Sequence, residues 1–582
     1  MTRTEAFDLL IPMPKRIRQT TGGVPARTLS SAARVFHESG FAPGAYRLEL
    51  TPSGVSIAAG DEAGARHAEA TLAQIRNLRE ESLPCVVIED EPALARRGVM
   101  LDISRSRVPR MSEFARLAGS FAALKLDHLQ CYTEHAFAYR EHEAIWAGND
   151  PITPQQARSL VAVMRRSGIE LAANQNCFGH LTRFLRHPAY APLAETHGDW
   201  IFAGMPRSGP FSLCPTDPRS LSFVEGLLDE MLPCFSSPLV NIGCDETYDI
   251  GQGRSKSTVE TQGKASVYGR FVAEVCRLVA DRGKTPMFWA DIASEHPEAL
   301  DRIPPEAHAL VWGYEPSHDF MREASLHRAA SRPWWICPGT SSWRSFTGRS
   351  RERHENIRRA ASVGVSQHAH GMLIADWGDI GHRQVWPIAL LGIAEGADAA
   401  WTGNARARRF LEAVSLQVFG DASLRTAGFI EELGDADEPL RAVSGVPADD
   451  GTHRPLANAS ALFTELHPPP LPLGLPKDTG PWESCRDRLA DLAQRVPTGA
   501  GELVERELRH ACACAIWACD VALRRRGATC AERTPESLAA ELSLLKAEHA
   551  ALWTQRSRRG GLAESLAFWD EIPLCAPTEG SV

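Results

Sequence analysis

The chain has no apolar run of membrane-spanning length, no excess of positive charge and no glycine-rich phosphate fingerprint. Each absence removes a class of function. A bilayer-crossing helix needs about 20 consecutive apolar residues, so no membrane partner is expected. Lys and Arg number 63 against 72 Asp and Glu, which leaves no basic footprint for a nucleic acid. Without a phosphate-cradling loop between a strand and a helix, no nucleotide is expected, and no cofactor is expected at all. The segment Met1–Leu10 carries Glu5 and Asp8 and lacks a long apolar stretch, so it does not read as a signal peptide. The 14 cysteines are scattered, several of them inside apolar runs (Cys85, Cys244, Cys337). That is the usage of buried thiols in a reducing compartment, and a cytoplasmic location is expected. Cys512, Cys514 and Cys519 lie close in sequence, but Cys512 and Cys514 diverge on a helix, which favours core packing over a metal site.

What is present divides the chain in three. Residues 1–95 read as a small α/β domain. Tyr46, Leu48 and Leu50 alternate with polar residues, Thr51-Pro52-Ser53-Gly54 turns the chain, and Val55 and Ile57 resume the alternation, which predicts a hairpin. Asp61 can cap a helix with Ala68, Leu72 and Ile75 on one face.

Residues 96–405 alternate strand-like and helix-like segments. Eight strands are expected, at 98–103, 128–132, 169–172, 239–243, 286–289, 309–312, 334–337 and 372–375. Thr153-Pro154-Gln155-Gln156 is a capping box at the start of one intervening helix. Eight strands in this length suit a (β/α)8 TIM-type barrel, and an open doubly wound sheet is the alternative.

Residues 406–582 read as a helical C-terminal region, with Leu538, Leu542, Leu545 and Leu552 on one stripe. Trp517, Trp553 and Trp569 are its expected packing anchors, His467–Pro472 a stiff connection, and Arg524–Arg526 a solvated face. A homodimer contact, or closure of one side of a pocket, are the two roles open to this region.

The segment Leu239-Val240-Asn241-Ile242-Gly243-Cys244-Asp245-Glu246 organises the rest. An apolar run the length of a buried strand ends in a glycine and two adjacent carboxylates. Ligands bind at that end of a parallel strand, and crowding should raise one carboxyl while its neighbour stays ionised. The plainer reading is the acidic first turn of a helix. Strand one ends in Asp102, Ser104, Arg105 and Arg107, with Arg97 just before it, and the other strand ends add Tyr132, Glu134 and His135; Asn174, Asn176 and His180; Trp289 and Asp291; Trp312, Tyr314 and Glu315; Ser342 and Trp343; and Asp376, Trp377 and Asp379. Tryptophan at four successive strand ends, interleaved with carboxylates, Arg and Asn, suits a sugar ring, whose apolar face stacks while its hydroxyls need hydrogen bonds. His180 and Asp245 could instead ligate a metal, but His180 has no close second histidine in the His-x-His or His-Glu-x-x-His style, and no metal is expected.

The stretches 97–105, Phe178-Gly179-His180, Leu213-Cys214-Pro215-Thr216, 241–246 and 397–401 resemble the family 20 glycoside hydrolases, the β-N-acetylhexosaminidases. The resemblance covers residues 1–405 and implies exo-acting, substrate-assisted hydrolysis with retention, on an oligosaccharide with a terminal N-acetylhexosamine. By this resemblance Glu246 is the acid/base, Asp245 orients the 2-acetamido group, and Arg97 binds ring hydroxyls. His180 stands near the acid, and Trp289, Trp312 and Trp377 form the acetamido pocket and stacking wall. Asp379 sits where the family usually carries Glu. The usual His and Asp of the second strand are replaced by Gln130-Cys131-Tyr132-Thr133-Glu134, which makes Glu134 a candidate for substrate binding. Tyr314, Ser342 and Trp343 are candidates for the contact to the acetamido oxygen. A retaining β-glycosidase with a carboxylate nucleophile and a non-catalytic carbohydrate-binding barrel are the alternatives.

Overall fold

The computed structural model describes residues 5–403, 408–447, 453–456, 458–467, 474–528 and 534–574. The stiff connection expected from Pro468 to Pro472 lies outside them. Strands Arg16–Pro25, Arg34–His37, Tyr46–Thr51, Gly54–Ala59 and Ser82–Asp90 form one N-terminal sheet, in the spatial order first, fifth, third, fourth, second. The hairpin of Tyr46–Thr51 and Gly54–Ala59 buries Tyr46, Leu48 and Leu50 on one face, as period-2 alternation requires. Helix Glu62–Asn77 covers that face, and Asp61 accepts the Gly64 N–H at 2.7 Å to cap it.

The next eight strands close on themselves. Arg96–Asp102, His128–Tyr132, Glu170–Asn174, Leu239–Asn241, Thr285–Trp289, His308–Trp312, Trp334–Cys337 and Gly371–Asp376 run parallel, and the last pairs with the first from Gly371↔Arg96 to Asp376↔Leu101. That pairing makes the sheet a TIM-type barrel and excludes the open one. The strands are apolar nearly throughout because helices cover the outside while side chains fill the lumen. Strand four is shorter than the apolar run suggests. It ends at Asn241, and Gly243 (φ 69°) and Cys244 (φ 74°) turn the backbone before the two carboxylates.

The N-terminal sheet sits at the opposite end of the barrel from the strand C-termini, fastened by a buried polar knot. Asp90 accepts Lys125 Nζ and Tyr46 OH, each at 2.7 Å, and Trp401 Nε1 at 2.9 Å. Arg97 belongs to this knot, so its expected contact with ring hydroxyls is corrected. At 1% exposure it donates to the Lys125 and Leu94 carbonyls at 2.8 and 2.9 Å, pairs with Asp127 at 2.8 Å and stacks on Trp401. The reason is its place in strand one, at the second residue, a whole strand length from the catalytic end.

The C-terminal region is helical apart from a two-stranded ribbon, Gly445–Pro447 with His453–Pro455. Its long helices Glu502–Arg525 and Pro535–Arg556 pack around buried Trp517, Trp553 and Trp569. It lies on the catalytic-end loops: the Arg110 N–H donates to the Arg556 carbonyl at 2.9 Å, Asn458 Nδ2 to Glu315 at 2.9 Å, and Ser565 Oγ to the Gly381 carbonyl at 2.5 Å. Arg525 and Arg526 are not a solvated face. Both pair with Glu465, at 3.1 and 2.9 Å, and Arg526 stacks on Trp482, because Ala461–Leu466 packs against their helix. The twelve cysteines among the described residues are buried and unpaired, Cys512, Cys514 and Cys519 included.

Candidate active site

The loop after strand four is set by backbone constraints. A Cβ on Gly243 would lie 1.7 Å from Asn176 Oδ1, and the residue's left-handed φ favours glycine for a second reason. Asn176 Oδ1 accepts the Cys244 N–H at 3.2 Å, and the Cys244 carbonyl accepts Tyr268 OH at 3.1 Å. Glu246 itself has φ 52°, a conformation that costs a non-glycine residue about 1–3 kcal/mol. Its N–H donates to Asp291 Oδ2 at 2.8 Å, which holds it there. The loop thus turns both acids toward the barrel axis, with Asp245 buried and Glu246 half-buried.

His180 bridges the two acids. Its Nε2 is 3.2 Å from Asp245 Oδ2 and 3.2 Å from Glu246 Oε2. Burial disfavours the imidazolium, but the attraction of Asp245 and Glu246 outweighs it and raises the pKa to about 10. The histidine therefore carries a proton at neutral pH. These three side chains are also the one cluster of potential metal ligands among the described residues. The carboxyl that crowding clearly lifts is Asp291, pushed well above its ordinary range by burial and then by Asp245.

One wall of the site is charged. Arg105 Nε is 3.1 Å from Asp379 Oδ1, its NH1 3.1 Å from Asp102 Oδ2 and its NH2 3.5 Å from Glu134 Oε1. Its guanidinium lies 4.9 Å from the Tyr132 ring centroid and 4.8 Å from that of Trp377. Asp102 anchors it by also accepting the Ser104, Arg105 and Gly378 N–H groups, which ties the strand-one loop to the strand-eight loop. Tyr132 OH donates to Glu134 at 3.0 Å and accepts from Asn176 Nδ2 at 2.6 Å. Burial pushes the Glu134 carboxyl up despite the nearby Arg105.

The other wall is aromatic. Trp377 Nε1 donates to Tyr314 OH at 2.7 Å, Tyr314 stacks on Trp312 at 5.2 Å, and Trp289 lies 6.1 Å from Trp377. Trp343 is enclosed, edge-on to Tyr314 at 5.1 Å and beneath Arg349. It braces Tyr314. Ser342 is turned away, donating to Asp376 at 2.7 Å. Trp289 Nε1, Trp312 Nε1 and Asp245 Oδ1 are buried with no hydrogen-bond partner among the described residues. Unpaired buried polar atoms are costly, and their clustering beside two acids marks a place where a polar ligand supplies the missing partners.

All the residues expected at the site except Arg97 therefore gather at one end of the barrel. Three participants were not singled out as substrate contacts. Arg105 is among the residues expected just past strand one, but no particular substrate contact pointed to it. Asp291 was visible as a strand-end acid, but nothing local to it pointed at Glu246. Arg207 was invisible. It belongs to the hairpin Asp199–Phe202 and Met205–Ser208, stacks on Phe202 at 4.1 Å and lies close enough for Glu246 and Asp379 to attract its charge.

Residues 95–327 match the model of "Glycosyl hydrolase family 20, catalytic domain", and residues 15–91 that of "Glycosyl hydrolase family 20, domain 2". A β-hexosaminidase of Akkermansia muciniphila is 26% identical over 273 residues, 42% of this chain and 55% of that protein. Human hexosaminidase D is 23% identical over 312 residues, 50% of this chain and 61% of that protein. The chain thus spans little more than half the length of these curated relatives. The crystal structure of a Flavobacterium johnsoniae chitobiase superposes with a TM-score of 0.58 at 15% identity, covering 97% of this chain and 99% of that one. That likeness shows a shared fold that extends through the helical C-terminal region. With both family models matched in order along the N-terminal sheet and the barrel, and a closed barrel that carries the acid pair at the end of its fourth strand, the chain belongs to glycosyl hydrolase family 20.

Proposed function

We propose that the protein is an exo-acting β-N-acetylhexosaminidase that hydrolyses terminal N-acetyl-β-hexosaminides by substrate-assisted, retaining catalysis. The observation that carries this reading is the His180 imidazolium 3.2 Å from both Asp245 and Glu246, facing an aromatic wall with unpaired indole N–H groups. In the first step the acetamido oxygen of the substrate attacks the anomeric carbon as the bond to the leaving oxygen breaks. Glu246 gives that oxygen its proton as the general acid. Asp245 Oδ1, with no partner of its own, accepts the acetamido N–H and steadies the positive charge that forms. In the second step Glu246 takes a proton from water, whose oxygen attacks the anomeric carbon and opens the oxazolinium ring with overall retention. Trp289, Trp312, Trp377 and Tyr314, braced by Trp343, enclose the acetamido group and the sugar face. Arg105, Glu134 and Asp379 hold ring hydroxyls. The names of the two relatives, β-hexosaminidase and hexosaminidase D, support the substrate class. The buried, unpaired thiols support a reducing, cytoplasmic setting.

The test is kinetic. Glu246→Gln should lose activity on an aryl N-acetyl-β-glucosaminide whose leaving group has an ordinary pKa. Asp245→Asn should lower kcat by ~100-fold or more, as removal of an electrostatic stabiliser does. A thiazoline inhibitor should bind the wild type tightly. No inhibition by the thiazoline, or an Asp245→Asn loss confined to KM, would reject substrate assistance.

A further inference from the structure

Beneath the catalytic-end loops, where the C-terminal helices meet the barrel, lies a cavity of about 20 Å³ lined by Arg107, Arg383, Trp386, Glu507, His549 and Arg556 among others. It is separate from the sugar pocket. Its character is set by two buried arginines, Arg107 at 5% and Arg383 at 3% exposure.

Neither guanidinium makes an ion pair with a carboxylate among the described residues. Arg107 NH1 donates to the Gln384 carbonyl at 2.9 Å and its face stacks on Trp386 at 4.8 Å, while its Nε and NH2 have no acceptor among the described residues. Arg383 NH2 bonds His467 Nε2 at 2.5 Å and its face lies on Phe463 and Trp569, at 4.5 and 4.9 Å, while its Nε and NH1 have none. Trp386 Nε1 is a further unpaired donor on the same cavity. The acids nearby are committed elsewhere. Glu507 is held by Arg556 at 2.6 and 2.7 Å, and Asp376 accepts the Thr340 and Ser342 hydroxyls at 2.7 Å. The histidines add no charge of their own. Burial and the arginines drive His549 well below its ordinary range, and burial takes His510 to about 4. Burial likewise lowers Arg107 to about 10 and Arg383 to about 9, outweighing the pull of Asp376 and Glu507 on the first and of Glu571 on the second.

Burying two cations with unmet N–H donors is expensive unless something negative accepts those donors. From the unmet donors of the residues that line this cavity and from its size, we propose that it is a binding site for one monoatomic anion of the halide class, with chloride as the natural occupant. A cavity needs roughly 10–15 Å³ by the same measure to admit one water-sized body, so this one has no room for a phosphate or a carboxylate. Its position gives the anion leverage on the sugar pocket. Arg107 follows Arg105 by two residues, and Gln384 Nε2 donates to the Trp377 carbonyl at 2.6 Å. An anion shared by Arg107 and Arg383 would therefore tie together the two loops that carry Arg105, Trp377 and Asp379.

The test compares the full-length protein in sodium chloride, sodium bromide and sodium gluconate at one ionic strength. A ligand that binds only the folded state raises its melting temperature by mass action. We expect Tm to rise by about 2 °C or more in either halide over gluconate, saturating with concentration. KM for the aryl glycoside should fall in parallel. Arg107→Gln and Arg383→Met should each abolish the halide-specific increment, whatever their effect on baseline Tm. Crystals grown in bromide should show an anomalous peak within hydrogen-bonding distance of both guanidinium groups. Equal Tm in the three salts, an increment that persists in either variant, or a water without anomalous signal in the cavity would overturn the proposal.

Discussion

Replacing either of two arginines eight positions apart on the first barrel strand and its loop should produce opposite phenotypes, and the contrast tests the assignment of the sugar-binding charge. Arg105 is half-buried between Tyr132 and Trp377, with Asp102, Glu134 and Asp379 around it. Arg97 is buried at the far end of the barrel among backbone carbonyls and Asp127. A hydrogen bond to a charged group contributes about 1.5–3 kcal/mol. Two such bonds from Arg105 to ring hydroxyls amount to ~3–6 kcal/mol, or about 10²–10⁴-fold in kcat/KM. Arg105→Met should lose that much. It also leaves Asp102, Glu134 and Asp379 without the cation that stands between them. Arg97→Met removes one partner of a buried ion pair and should cost about 3–4 kcal/mol of stability, the lower part of the usual range because Asp127 keeps Arg96 nearby. Its kcat/KM, measured where the protein is still folded, should stay within about threefold of wild type. The assay pairs steady-state kinetics on an aryl N-acetyl-β-glucosaminide with a urea-unfolding midpoint for each variant. The reasoning fails if Arg97→Met loses activity at unchanged stability, or if Arg105→Met retains activity within tenfold.

Two further outcomes follow from the same geometry. Burial and Asp245 push the Asp291 carboxyl well above its ordinary range while its Oδ2 accepts the Glu246 N–H, so Asp291→Asn should stay within about tenfold of wild type, whereas Asp291→Ala should lose ~10²-fold in kcat; equal losses would show that the accepted hydrogen bond is not what matters. For His180, the folded pKa of about 10 lies above the unfolded value of about 6.5. The stabilisation from its pairing is fully present below pH 6.5 and is lost as pH rises toward 10, at a scale of a few kcal/mol. The stability gap between wild type and His180→Gln should therefore narrow across that window in urea titrations, and a gap independent of pH would refute the assignment.

By itself the sequence determined the order of elements and the location of the acid pair, because both are written in short-range patterns. A strand buried on two faces must be apolar for its whole length, and the chain marks its end with the first residues that break that rule. Asp245 and Glu246 break it after strand four, and tryptophans or acids break it after strands five to eight. The capping signals of Asp61 and Thr153 are local for the same reason, since each satisfies N–H groups within three residues. Tertiary structure alone decided what depends on closure and distance. Arg97 and Arg105 belong to one motif-like stretch, and only the length of the closed strand puts one in the polar knot and the other beside the sugar pocket. The proton economy of the site is likewise non-local. His180, Asp245, Glu246 and Asp291 come from three strand ends, and their charges act on one another only once the barrel brings them within a few ångströms in a medium that screens them poorly. The buried arginines beneath the loops carry the same lesson. Arg107 stands at a strand end in sequence and nothing local marks Arg383, and it is the packing of the C-terminal helices over them that removes water and leaves their donors unmet.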